Sequence, residues 1–267
     1  MEEIRLGIVG ASTWSLDVAR RAASAGDIVL FDEDDAALDA AHNALSGVPE
    51  VRVTGAIGDL HDRTMVLDAT DRGLEAAART SARLGVTCDP RALFATVVRD
   101  APSAPVGIAS GRSGRWVGLH PVALRADATL LEIVRAHATT PGTVRQWRRL
   151  LASIGLRSVV APDQPGFLVE QVLFPALQVA HRLVESGAAD AHELEAALRL
   201  GAGWESNPFD LLSAAGAGRV TGFDSGARPT VDQLFETSRN PMGSPTTAVS
   251  NTSSSTSTSA PTASRQA

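Results

Sequence analysis

Across 267 residues, 44% hydrophobic and 20% charged, the chain carries enough apolar material for one large core or two modest ones. A net charge of −6 argues against a nucleic-acid partner, and a single cysteine, Cys88, excludes an internal disulfide or a cysteine-rich metal site. All 24 basic residues are arginine and tyrosine is absent, so anionic ligands must be met by guanidinium or backbone N–H groups and no tyrosine can serve as a general acid.

The N-terminal stretch runs from Met1-Glu2-Glu3 directly into a strand pattern, Ile4–Val9, without a basic or apolar leader, which gives a cytoplasmic expectation. Gly10 breaks that strand. A helix pattern follows over Ser15–Ala25, then a second strand, Ile28–Phe31, ending on Asp32. A strand, a glycine turn, a helix and a strand closing on an acid is how a dinucleotide-binding βαβ unit is written. The turn brings helix N–H groups to a diphosphate, and the acid accepts from a ribose diol. The glycine fingerprint is incomplete, because Gly10-Ala11-Ser12-Thr13-Trp14-Ser15 has serine at two glycine positions. A βαβ turn that binds no nucleotide therefore stays open beside the binding reading. In the binding reading Gly10, Ser12, Thr13 and Asp32 hold the cofactor.

Further along, strand patterns at Val51–Thr54, Met65–Ala69, Val106–Ser110, Trp116–His120, Leu130–Val134 and Arg157–Ala161 are interleaved with helix patterns. The helices are expected at Asp35–Leu45, Arg72–Leu84, Pro90–Asp100 and Pro141–Ser153. Short aliphatic runs between amphipathic helices predict an α/β fold of Rossmann type, with a mainly parallel sheet covered on both faces. From Gly166 the character changes. Phe167–Ser186 reads as one long helix, with Glu170 and Gln171 interrupting an apolar run too short to span a bilayer. Asp190 and Glu193 form a capping box, Asn207-Pro208 opens another helix, and Val231–Thr237 reads as one more. The expectation is a Rossmann-like domain over 1–163, a smaller all-α domain over 164–238, and a disordered Ser/Thr-rich tail over 239–267.

Two further groups could carry chemistry. His120 ends a strand at the edge where α/β folds bind ligands, and Glu132 stands twelve residues on inside an apolar strand. A carboxylate there needs a partner, and an imidazole it orients makes a general acid or base. A satisfied core histidine and a partly exposed glutamate are the plainer alternative. The loop Ala109-Ser110-Gly111-Arg112-Ser113-Gly114, after a strand pattern, reads as a plain Gly/Ser loop unless a family resemblance gives it a role. His42, His61, His137, His181 and His192 show no metal-ligand spacing, so no metal site is expected.

Taken in order, Gly118-Leu119-His120-Pro121, Leu131-Glu132-Ile133-Val134, Thr139-Thr140-Pro141-Gly142, Pro165-Gly166-Phe167-Leu168-Val169 and Asn207-Pro208-Phe209-Asp210-Leu211-Leu212 resemble the 3-hydroxyacyl-CoA dehydrogenase family. The resemblance extends to about Met242. It implies a Rossmann domain binding NAD, a helical domain that forms a homodimer, and an acyl thioester substrate on CoA or an acyl carrier protein. His120 and Glu132 fall on the family's catalytic pair, Ser113 on the serine that bonds the substrate oxygen, and Asp32 on the ribose-binding acid that disfavours a 2′-phosphate.

Departures accompany the likeness. The family's His-Phe-Phe-Asn-Pro is His120-Pro121-Val122-Ala123-Leu124 here, its Asn after Pro-Gly-Phe-x-Val is Glu170, and its Asn-Thr-Ser is read as Gly111-Arg112-Ser113. On that reading the segment before His120 is about a dozen residues short. The implied function is an NAD-dependent dehydrogenase interconverting 3-hydroxyacyl and 3-oxoacyl thioesters, in fatty-acid metabolism or a specialised pathway. The alternatives are a catalytically degenerate binding or accessory protein of the same fold, and a dehydrogenase of a free hydroxy acid.

Overall fold

A computed structural model describes residues 4–99, 102–122 and 130–223. The predicted helix at Val231–Thr237 and the tail lie outside the described residues. Eight strands form one sheet in the order β3-β2-β1-β4-β5-β6-β7-β8. They are β1 (Ile4–Val9), β2 (Gly26–Phe31), β3 (Val51–Thr54), β4 (Met65–Asp68), β5 (Leu93–Val97), β6 (Trp116–Pro121), β7 (Leu130–Arg135) and β8 (Arg157–Pro162). All neighbouring pairs are parallel except β6–β7, which is antiparallel.

Covering helices are α1 (Thr13–Ala22), α2 (Asp35–Leu45), α3 (Leu74–Thr87), α4 (Ala104–Ala109) and α5 (Pro141–Ser153). One face of the sheet packs Leu6, Ile8, Leu30 and Leu67 against Val18, Leu45 and Trp147 of the helices. The opposite face packs Val29, Val66, Phe94 and Trp116 against Leu84 and Val106. Alternate residues of each strand serve opposite faces, so a central strand is apolar on both sides and loses its polar alternation.

That loss explains two corrections. Pro90–Asp100, read as a helix, contains the strand β5, all five residues of which are buried. With no alternation to mark it, the run Leu93-Phe94-Ala95-Thr96-Val97 does not declare its period. Val106–Ser110, read as a strand, belongs instead to helix α4. Pro105 sits in its first turn, and Asp163 accepts from Ser103 N, Ser103 Oγ and Ala104 N at 2.8–3.0 Å, capping it from a distant segment. Gly107 is required inside it because a Cβ there would lie 2.9 Å from the Trp116 indole.

After β8 only helices follow among the described residues: α6 (Val169–Glu185), α7 (Ala191–Ala202), α8 (Pro208–Ala215) and α9 (Ala217–Thr221). Asp190 caps α7 and Asn207 caps α8 through their side chains. Phe174 and Leu177 of α6 bury against Leu211, Leu212, Ala215 and Val220, a small core of their own. No described helix is long and apolar enough to cross a membrane.

Candidate active site

Antiparallel pairing of β6 and β7 sets His120 directly opposite Glu132. Facing residues of an antiparallel pair project on the same side of the sheet, so a twelve-residue separation becomes a side-chain contact. His120 Nδ1 lies 2.9 Å from Glu132 Oε2. The other carboxylate oxygen, Oε1, accepts from Leu168 N at 3.1 Å and Val169 N at 2.9 Å. Glu132 is therefore an acceptor at both oxygens, Nδ1 carries the hydrogen, and Nε2 is the atom left to face outward. The Phe167 ring lies beside the imidazole, with centroids 4.7 Å apart.

The chain delivers those two amides through a strained entry to α6. Gly166 and Phe167 both adopt positive φ, 75° and 47°. Glycine does so freely, whereas a phenylalanine in that region costs about 1–2 kcal/mol. Burial of the Phe167 ring in the sheet core offsets that cost.

On its outward side His120 Nε2 stands 3.6 Å from Oε1 of Glu170, the residue that replaces the family's asparagine. Glu170 is 5% exposed, and both of its oxygens accept from Arg219 Nη2, at 3.0 and 3.1 Å. Arg219, on α9, also packs over the Phe174 ring. A small pocket opens here, lined among others by His120, Glu170, Arg219 and Arg99. Arg99 follows β5 and bonds Asp71 at 2.6 Å. Neither arginine was singled out in the sequence. Arg99 was hidden because its strand was read as a helix, and Arg219 lies in a short helix that periodicity did not mark.

Ser113 is not part of this cluster. It begins a single 3-10 turn just before β6, whereas His120 stands near the far end of that strand. Four strand residues alone separate them by about 13 Å. Gly114 beside it is tied to the start of α5, accepting from Thr140 N and Thr143 Oγ1. The substrate-oxygen contact assigned to Ser113 is corrected accordingly: the residues at the rim beside His120 are Val97, Val98 and Arg99. Arg112 does not face this rim either. It donates to the carbonyls of Gly85 and Cys88 at the C-terminal end of α3.

The glycine turn opens on the same rim as His120, since β1, β4, β5 and β6 run parallel. Gly10 has φ 95°, and a Cβ there would press on Thr70 at 3.1–3.2 Å. Its serines replace glycine without blocking the turn. Ser12 caps α1 by accepting from Ser15 N at 3.2 Å, and buried Ser15 returns its hydroxyl to the Ser12 carbonyl at 2.8 Å. Ser12 and Thr13 are exposed, and Trp14 is half-buried against the core rather than spread over the turn. Within the described residues the amides of Thr13 and Trp14, in the first turn of α1, make no hydrogen bond. They are free for a diphosphate. Asp32 closes the turn, its Oδ2 accepting from Ala11 N at 2.8 Å and its Oδ1 from Glu33 N and Asp34 N at 2.7 and 3.1 Å. Three donors leave a carboxylate one acceptor site for a ribose hydroxyl. Gly10, Ser12, Thr13 and Asp32 thus share one turn whose free amides and remaining carboxylate acceptor suit a diphosphate and a ribose hydroxyl.

Comparison with known proteins identifies the family. Residues 5–164 match the model of the 3-hydroxyacyl-CoA dehydrogenase NAD-binding domain, and residues 166–246 match that of the C-terminal domain. The chain belongs to the 3-hydroxyacyl-CoA dehydrogenase family. The N-terminal domain of this family takes NAD, and NAD is the cofactor indicated here. A probable 3-hydroxyacyl-CoA dehydrogenase of Caenorhabditis elegans is 30% identical over 68% of this chain and 59% of its own length. A 3-hydroxybutyryl-CoA dehydrogenase of Bradyrhizobium diazoefficiens is 26% identical over 79% of each. The chain spans between 52% and 59% of the length of several curated relatives. Among solved structures, (S)-3-hydroxybutyryl-CoA dehydrogenase from Ralstonia eutropha superposes with a TM-score of 0.72 over 89% of this chain and 95% of that one. At 18% identity, that likeness shows the fold.

Proposed function

We propose that this chain is an NAD-dependent dehydrogenase that interconverts 3-hydroxyacyl and 3-oxoacyl thioesters, carried by CoA or an acyl carrier protein. One observation carries the reading: a buried His120–Glu132 pair, fixed by backbone amides, stands on the rim that bears the glycine turn. In this reading residues 1–163 bind the cofactor and residues 164–238 close the acyl site, with 239–267 a tail. Bound NAD supplies the hydride acceptor, or donor in its reduced form, for the carbinol carbon.

The chain's own residues handle the proton. In oxidation His120 Nε2 takes the hydrogen of the 3-hydroxyl, and Glu132 stabilises the imidazolium through Nδ1–H. In reduction His120 returns that proton to the forming alkoxide. Phe167 and the buried strands keep bulk water from the Glu132 side, so proton exchange is confined to Nε2. Arg99 takes the role first given to Ser113, donating toward the substrate oxygen from the end of β5.

Homodimerisation through the helical part belongs to the same reading. Leu168 at the N-cap of α6, and Val172, Val179 and Leu183 within it, are exposed, with the three helical residues at spacings of seven and four that share one face. A Val179→Glu chain is expected to sediment as a monomer if that face joins two copies. An unchanged mass overturns the assignment. A cytoplasmic setting, where thioesters and reduced pyridine nucleotide are both available, completes the proposal.

The test is NADH oxidation with acetoacetyl-CoA and with the acetoacetyl carrier protein, followed at 340 nm. Turnover on either is expected. An absence of binding at millimolar NADH rejects the enzyme and returns the degenerate binding protein.

A further inference from the structure

We infer that Glu170 and Arg219 are specificity-determining residues and that the acyl group this site takes carries a neutral hydroxyl beyond the carbinol carbon. The inference rests on the dehydrogenase reading above. The pair occupies the side of His120 from which the reacting hydroxyl must approach, 3.6 Å from Nε2. Its carboxylate is buried, and one Arg219 nitrogen bonds both oxygens. A guanidinium has five N–H groups and a carboxylate about four acceptor sites, so the pair keeps donors and acceptors in hand. The pocket's apolar lining beside it is small: Pro121, Val122, Ala214 and Ala215.

Charge selects among the possible tails. Arg219 is matched by Glu170 within the lining, and Arg99 by Asp71 just outside it at 2.6 Å, so each guanidinium already faces a carboxylate. A carboxylate tail would set a second anion beside the buried Glu170 carboxylate, and an ammonium tail a further cation beside Arg219 and Arg99. An alkyl tail strips water from the pair and replaces it with nothing. One stranded hydrogen bond to a charged group costs roughly ten- to a hundredfold in binding. Each buried methylene returns only about fourfold. A hydroxyl that donates to Glu170 and accepts from Arg219 strands no group, and the neighbouring lining residues Ala214 and Ala215 are small.

The test compares kcat/KM of the full-length protein, with NADH, for 3-oxohexanoyl-CoA, 5-hydroxy-3-oxohexanoyl-CoA and 3-oxoadipyl-CoA. Calorimetric binding of the corresponding 3-hydroxy compounds, without cofactor, gives a readout independent of turnover. The hydroxylated compound is expected to win by tenfold or more in both measurements. The variant Glu170→Leu/Arg219→Met replaces the pair by apolar groups of similar volume, a change buried ion pairs commonly tolerate. It is expected to reverse the preference toward the alkyl chain, read as the ratio of the kcat/KM values and of the binding constants. Equal or better use of the alkyl or carboxylate compound by the wild-type protein overturns the inference, as does an unreversed preference in the variant. If the variant does not fold, the wild-type ratios decide alone. If no thioester is reduced, the dehydrogenase reading fails, and the binding ratio still decides this inference: tenfold tighter supports it and equality overturns it.

Discussion

At the scale of single residues, the site depends on which nitrogen of His120 holds the hydrogen. Glu132 settles it by accepting at both oxygens, two of its three bonds coming from main-chain amides that cannot do otherwise than donate. Glu132→Gln keeps the volume and an acceptor for the amides, but turns an NH₂ toward Nδ1 and forces the hydrogen onto Nε2. The expected outcome is turnover lowered by roughly 10²–10⁴-fold with NADH affinity nearly unchanged, measured by steady-state kinetics and fluorescence titration. His120→Ala should match it, and a tenfold loss or less in both rejects the acid/base assignment. Ser113→Ala, about 13 Å away along β6, should leave turnover within a factor of two. Much of this was legible from the residues. An acid inside an apolar strand and a histidine at a strand end predict each other as partners, because neither can be buried alone. Which serine or arginine completes the site was not legible, since that depended on where β5 ends.

At the scale of elements, the sheet was readable wherever a strand kept a turn signal at its end, as β1 does at Gly10 and β2 at Asp32. It was not readable at β5 and α4, where burial on both faces erased the period and a cap came from Asp163, some sixty positions away. Pairing direction was likewise out of reach. Alternating strands and helices predict parallel neighbours, and the β6–β7 pair departs from that pattern by running antiparallel. The entry to α6 shows how an element boundary becomes chemistry. Gly166 has φ 75°, and a Cβ there would meet the Phe223 ring at 2.6 Å and Gln171 N at 3.0 Å. Gly166→Ala must therefore shift the turn that aims the Leu168 and Val169 amides at Glu132. A loss of about 1–3 kcal/mol is expected, a fall in Tm of several degrees by calorimetry, together with lower turnover. A variant with unchanged Tm and turnover would show that the turn plays no part in holding Glu132.

At the scale of the whole molecule, stability must tolerate a polar group that the fold leaves incompletely satisfied. Asp68 ends β4, beside β1 and β5 at the centre of the sheet, and is 1% exposed. Its Oδ1 accepts from Thr70 N and Thr70 Oγ1, at 3.1 and 2.8 Å, whereas Oδ2 has no hydrogen-bond partner within the described residues. Burial pushes the carboxyl above its ordinary value, outweighing the bonds from Thr70 and the nearby Arg72 charge, which act the other way. The folded state then holds its proton more tightly than the unfolded chain does. Between the ordinary carboxylate value of 3.8 and the raised one, the folded state binds more protons, so this group's contribution to stability declines as pH rises. Asp68→Asn removes the titration while keeping an acceptor for Thr70. The difference in Tm, variant minus wild type, should therefore be more positive at pH 7 than at pH 4, because the wild type loses this contribution as pH rises through the raised value. Thermal unfolding at the two values, under one salt concentration, measures it. A difference that is flat with pH would mean that burial does not raise the Asp68 carboxyl above its value in the unfolded chain.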